Sequence, residues 1–253
     1  MGDHHDRLTG LEGAVEVWLG TPQELGGTGD RELLDATERA RADRFLREQP
    51  RVTYTAAHGL VRRALSAYAP VDPRAWRFVV GEHGRPDIDP QTPGLVGAAR
   101  ELSFNLSHTR GLVAVAVSRV AATGVDVEWI ERDNDLRRLA AAKFALGERG
   151  RLEREVDEDG FRRRFFSYWT LKESYLKARG TGITLPLGAF AFRVEPEAPV
   201  DVEFDAVLAD DPSDWQFEIR DVGASHALAV AVRRGAGVGD LELRVLDADA
   251  SRP

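Results

Sequence analysis

The chain has 253 residues, 43% of them hydrophobic and 30% charged, with a net charge of −8. This is the balance of a soluble globular protein with room for a sizeable core, and its acidity argues against a nucleic-acid binder. The lack of cysteine excludes disulfides and thiolate metal sites and fits the cytoplasm; neither a signal peptide nor a run of roughly 20 apolar residues for a membrane span is visible.

Residues 14–19 (Ala-Val-Glu-Val-Trp-Leu) read as a first strand, and the charge-rich stretch 30–48 as a helix burying Leu33, Leu34 and Phe45. A second helix over 53–68 places Tyr54, Ala57, Leu60, Val61, Ala64 and Leu65 on its inner side, with His58 as a structural histidine. After Pro70 and Pro73 come a strand from Trp76 to Val80, a turn from Gly81 to Pro86 and a loop over 87–101. Leu102 to Leu106 is extended, Ser107-His108 reads as a turn, and Leu112 to Ser118 is a strand. The second half holds charged helices near 134–156, a long helix over 160–178, and strands over 189–195, 200–207, 215–220 and 226–232. An edge strand over Leu241 to Leu246 completes it.

The halves echo one another. Ser107-His108 precedes Val113 to Val117, Ser225-His226 precedes Ala229 to Val232, and each strand lies downstream of a long helix. The expected fold is therefore α/β, built from two similar subdomains (1–120 and 121–253) about a pseudo-twofold axis with a ligand cleft between them.

Two stretches carry the chemistry. In Gly124-Val125-Asp126-Val127-Glu128, period-two geometry puts both carboxylates on one strand face and both valines on the other. In the helix from Trp169 to Lys177, Glu173 and Lys177 share a face at spacing four. Three carboxylates and an ammonium suit Mg²⁺ beside a phosphate, because magnesium takes a few carboxylates together with substrate oxygens. The chain holds 31 arginines but only three lysines, Lys143, Lys172 and Lys177. Two of them fall inside this helix, where a compact ammonium differs in use from a planar fork.

Taken in order, Gly84-Arg85-Pro86, Asn105-Leu106-Ser107-His108, Gly124 to Glu128, Trp169 to Lys177 and Gly180-Thr181-Gly182 resemble the signatures of the 4′-phosphopantetheinyl transferases of the surfactin-synthetase type. The resemblance spans roughly residues 35 to 232. It implies transfer of the phosphopantetheine arm of coenzyme A (CoA) to a serine of an acyl or peptidyl carrier protein by a cytoplasmic monomer. By the same resemblance, Asp126, Glu128 and Glu173 are the Mg²⁺ ligands and Lys177 a phosphate contact. Arg85, Ser107 and His108 bind CoA, with Arg85 and His108 near its 3′-phosphate. Arg41 falls where the family carries a basic phosphate contact, while Glu38 stands where some members have a second. Glu173 is the candidate base for the serine hydroxyl, with Glu128 second. The rival expectations are another Mg²⁺-dependent phosphotransferase and a carrier-binding module without activity. The absent Gly-x-x-x-x-Gly-Lys-Ser/Thr loop lowers the first, and the intact carboxylates lower the second.

Overall fold

The computed structural model describes residues 2–81, 84–120, 122–132, 134–182, 185–234 and 239–248. In chain order the elements are α1 (Gly2–Gly10), β1 (Ala14–Gly20), α2 (Ala36–Asp43), α3 (Glu48–Ser66), β2 (Phe78–Val80), β3 (Pro86–Ile88), β4 (Ser103–Thr109), β5 (Leu112–Ser118) and β6 (Thr123–Trp129). There follow α4 (Leu136–Lys143), α5 (Leu146–Leu152), α6 (Glu158–Arg179), β7 (Phe190–Arg193), β8 (Asp201–Phe204), β9 (Trp215–Val222), β10 (His226–Arg233) and β11 (Glu242–Asp247).

Two sheets repeat one topology. The first runs β11-β1-β5-β4 and the second β6-β10-β9; β1-β5-β4 and β6-β10-β9 are both antiparallel and each is fed by one long helix, α3 or α6. The burial of alternate residues explains the repeat. In β5, Val113, Val115 and Val117 face α3 with Ala57, Leu60 and Val61. Leu112, Ala114 and Ala116 instead join Val125, Val127, Leu228 and Val230 in the layer between the sheets. In β10 the same alternation turns Ala227, Ala229 and Ala231 to Phe165, Leu171 and Tyr175 of α6, and Leu228, Val230 and Val232 to the shared layer. Period-two strands covered on both faces thus give two helices outside and two sheets inside.

The sheets are also joined laterally. Val125, Val127 and Trp129 of β6 donate their backbone N–H groups to the side chains of Asn105 (2.9 Å), Ser107 (3.2 Å) and Thr109 (3.2 Å) of β4. β11 pairs in parallel with β1, so the final strand belongs to the sheet of the first half.

Two expectations change. The helix over 30–48 shortens to α2, because Asp35 and Glu38 form a capping box that starts it, and a 3₁₀ turn over Gly27–Glu32 precedes it. Ser107-His108 is not a turn but lies inside β4. The hairpin instead reverses at Arg110-Gly111, where Gly111 has φ +81°, which an L side chain rarely adopts. In the turn from Gly81 to Pro86, residues 82 and 83 lie outside the described residues. No helix among the described residues is long and apolar enough to cross a membrane.

Candidate active site

Because Val125 and Val127 point into the layer between the sheets, Gly124, Asp126 and Glu128 face α6. Gly124 lets the two elements close: a β-carbon there would stand 2.1 Å from Ser174 O and 2.4 Å from Ala178 N. α6 starts on an Asp157 cap, ends at Gly180 with φ +70°, and presents Trp169, Glu173 and Lys177 at successive spacings of four. These side chains meet the β6 carboxylates in a cleft of about 500 Å³, lined also by Ser107, His108 and Arg132. A larger hollow of about 890 Å³ lies along the first half of α6 against β9 and holds none of these groups.

Asp126, 5% exposed, accepts from Lys177 Nζ (2.7 Å) and Ser107 Oγ (2.8 Å) through Oδ1. Its Oδ2 is buried with no hydrogen-bond partner among the described residues. Glu128 accepts from Trp169 Nε1 (2.9 Å) on Oε1 and from Arg132 Nη1 (3.0 Å) on Oε2. Burial, then the charge of Asp126, pushes Glu128 up to about 7, against the pull of Arg132, Trp169 and Lys177. Glu173 is raised by the same two causes. His108 is exposed at the cleft mouth, where the surrounding protein, then Lys177, pushes its imidazole down to about 4; it is neutral at pH 7.

Among the described residues no three acids or imidazoles form a ready-made cation cage, and Arg132 and Lys177 hold two of the carboxylates. The donor set nevertheless fits a hard divalent cation. One carboxylate oxygen is orphaned, and burial together with the charge of Asp126 raises two neighbouring acids, a cost that a cation taking oxygen ligands relieves.

Asp126, Glu128, Glu173, Lys177, Ser107 and His108 are therefore brought together. Arg41 and Arg85 are not in this cleft. Arg41 is exposed on α2, its guanidinium 5.7 Å above the Tyr54 ring, beside a separate hollow. Arg85 donates to the carbonyls of Lys177 (2.9 Å), Ala178 (3.0 Å) and Thr123 (3.2 Å), tying the β2–β3 hairpin to the end of α6. Two participants escaped the sequence analysis. Arg132 belongs to no quoted motif, although its spacing of four from Glu128 was visible. Trp169 was named only as the start of a motif; it lines the cleft, and its indole N–H fixes Glu128.

Residues 122–231 match the family profile described as the 4′-phosphopantetheinyl transferase superfamily. The chain is 35% identical to the 4′-phosphopantetheinyl transferase HetI of Nostoc sp. over 70% of this chain and 73% of that protein. It is 30% identical to a phosphopantetheinyl transferase of Thraustochytrium sp. over 92% and 83%. A holo-[acyl-carrier-protein] synthase from Thermotoga maritima aligns in structure at 19% identity and TM-score 0.36, over 44% of this chain and 62% of that one.

Proposed function

The chain belongs to the 4′-phosphopantetheinyl transferase superfamily, and we propose how its residues carry out the transfer. The enzyme moves the phosphopantetheine arm of CoA onto a serine of an apo carrier protein. The serine oxygen bonds to the pantetheine-side phosphorus, the bridging P–O bond of the pyrophosphate breaks, and adenosine 3′,5′-bisphosphate leaves. Motif order and chain length favour the surfactin-synthetase type.

Such a reaction depends on positioning and charge neutralisation more than on covalent help. Asp126, Glu128 and Glu173 would hold Mg²⁺, which when bound supplies Lewis-acid neutralisation of the pyrophosphate. Lys177, fixed on Asp126, directs its ammonium to the leaving phosphate. Glu173 takes the serine proton, from its place in the cleft one helical turn from Lys177. Ser107 sets the Asp126 carboxylate and borders the CoA site, where His108 as a neutral imidazole donates one N–H to the 3′-phosphate. Arg41 reaches CoA phosphate from α2. Arg85 acts on CoA binding by fixing the last turn of α6 that carries Lys177. The division near residue 120 gives two halves that form the cleft within one chain, which favours a monomer, and the cysteine-free composition favours the cytoplasm.

The observation that carries this assignment is the convergence of Asp126, Glu128, Glu173 and Lys177 where α6 crosses β6. Mass spectrometry of an apo carrier protein incubated with CoA and Mg²⁺ should show addition of an intact phosphopantetheine arm. Asp126→Ala and Glu173→Ala should each lower the rate by more than about 100-fold, because losses one shell further out already cost 10- to 100-fold. EDTA should stop transfer and Mg²⁺ restore it. Full activity in metal-free buffer, or in either variant, would remove the carboxylates from this role.

A further inference from the structure

The two carboxylates of β6 are held in different ways. Lys177 and Ser107 both bond Asp126 through Oδ1 and leave Oδ2 without a partner among the described residues. Glu128 has both oxygens engaged, Oε1 by Trp169 Nε1 (2.9 Å) and Oε2 by Arg132 Nη1 (3.0 Å). A neutral indole can share its oxygen with a cation, because a carboxylate oxygen accepts more than one bond. A guanidinium on the same carboxylate repels a divalent cation at that distance. Arg132 therefore stands in the way of a metal at Glu128, and its surroundings let it turn. Arg162 Nη1 fixes the chain that carries it, donating to the carbonyls of Ile130 (2.9 Å) and Arg132 (3.0 Å). The guanidinium carbon lies 5.1 Å from the Phe166 ring centroid and 5.8 Å from that of Trp169, faces that hold a cation without fixing its direction. Its Nε is buried with no hydrogen-bond partner among the described residues. The side chain, 28% exposed, lines the cleft together with Glu173 and Lys177.

We infer that Arg132 is a positioning residue that makes metal binding depend on CoA: it occupies Glu128 until a CoA phosphate draws it away. This rests on the transferase assignment above. Without CoA, a divalent cation at Glu128 must break the Arg132 bond and leave the guanidinium unpaired, so it binds weakly. A phosphate accepts from a guanidinium as well as a carboxylate does, and the planar fork can meet two of its oxygens at once. Once Arg132 turns to the phosphate, Oε2 of Glu128 is open to the cation. Rotation of one side chain suffices, since Arg162 keeps the backbone in place. CoA and metal thus favour each other beyond the direct attraction between cation and pyrophosphate. By linkage, each raises the affinity of the other by the same factor.

Electron paramagnetic resonance of Mn²⁺, a paramagnetic stand-in for Mg²⁺, tests this on the intact chain with and without saturating CoA. Signal that survives in Asp126→Ala is counted as binding elsewhere. Arg132→Met keeps an apolar stem against Phe166 and Trp169 but removes the charge, whereas Arg132→Lys keeps it. Without CoA, Arg132→Met should bind Mn²⁺ about tenfold more tightly than the wild type, the order of one charge-assisted hydrogen bond that no longer has to break. The factor by which CoA tightens Mn²⁺ binding should fall about tenfold in Arg132→Met and stay near the wild-type value in Arg132→Lys. Calorimetry of CoA binding with and without Mg²⁺ should return the same pattern. If melting curves show Arg132→Met unfolded, Arg132→Gln serves in the same two comparisons. The inference is overturned if the neutral variant binds Mn²⁺ alone no more tightly than the wild type. It is equally overturned if the CoA factor is unchanged in that variant, or if Arg132→Lys behaves like it. A wild type that transfers the arm while the neutral variant keeps the full CoA factor sinks only the role of Arg132. A wild type that neither binds CoA nor transfers the arm sinks the assignment itself.

Discussion

Two lysines of α6 do different work, and the difference is one of burial. Lys177 stands in the cleft, whereas Lys172 is 0% exposed and divides its three N–H bonds among Glu148 (2.9 Å), Leu187 O (2.7 Å) and Phe190 O (2.5 Å). Burial pulls Lys172 down to about 8 and pushes Glu148 up, and their attraction opposes both shifts. Lys172→Met strands the Glu148 carboxylate in the core, so urea unfolding should show a loss of about 3–5 kcal/mol, while Lys172→Met with Glu148→Leu should lose less. A double variant weaker than the single would show that packing, not charge, governs the site. Glu38 offers a pH test. Burial would raise its carboxyl, but the His58 bond, the Arg62 charge and the Asp35 N–H lower it from 4.5 to about 2. Its contribution to stability is therefore complete above pH 4.5 and disappears as pH falls towards 2. That contribution is on the order of 3 kcal/mol. The stability gap between wild type and Glu38→Gln should be widest at neutral pH and narrow through this window. A gap that stays constant from pH 7 to pH 3 would contradict it.

At the level of elements, the contact of β6 with α6 sets the site. Gly124 is required there for space, since the atoms that a β-carbon would strike are backbone atoms of α6 and cannot rotate away. Gly124→Ala should push the helix from the strand, at about 1–3 kcal/mol of stability. The accompanying displacement of Glu173 and Lys177 should lower single-turnover transfer by on the order of 10²-fold if it reaches about 1 Å. A Gly124→Ala variant with native Tm and native rate would mean that the elements yield without cost. The β4 strand explains why Ser107-His108 was misread from sequence. Asn, Ser and Thr favour turns when considered locally, but Asn105, Ser107 and Thr109 alternate along β4 and bond the N–H groups of β6. Polar residues that suggest a loop are here the seam between two sheets.

Across the molecule, the repeated halves are closed by a strand from the far end of the chain. β11 covers the edge of β1 over Ala14↔Glu242 to Leu19↔Asp247 and holds no site residue. Deleting residues 239–253 should therefore lower Tm by on the order of 10 °C, as expected for a loss of several kcal/mol in a chain of this size, while the folded fraction keeps its transfer rate. An unchanged Tm would show that β1 needs no cover. Periodicity along the chain was enough to say which residues share a face: alternation turned Asp126 and Glu128 away from Val125 and Val127, and a spacing of four aligned Glu173 and Lys177. Such periodicities are local, set by backbone geometry within one element, so they were legible together with the motif order that identified the family. Packing chose the partners. Glu148 came to Lys172 across 24 residues, Arg85 to the α6 carbonyls across more than 90, and Glu38 turned from a missing cation into the anchor of His58. These pairings depend on how separate elements pack, and a charge in the sequence does not state which opposite charge or carbonyl the fold will bring to it.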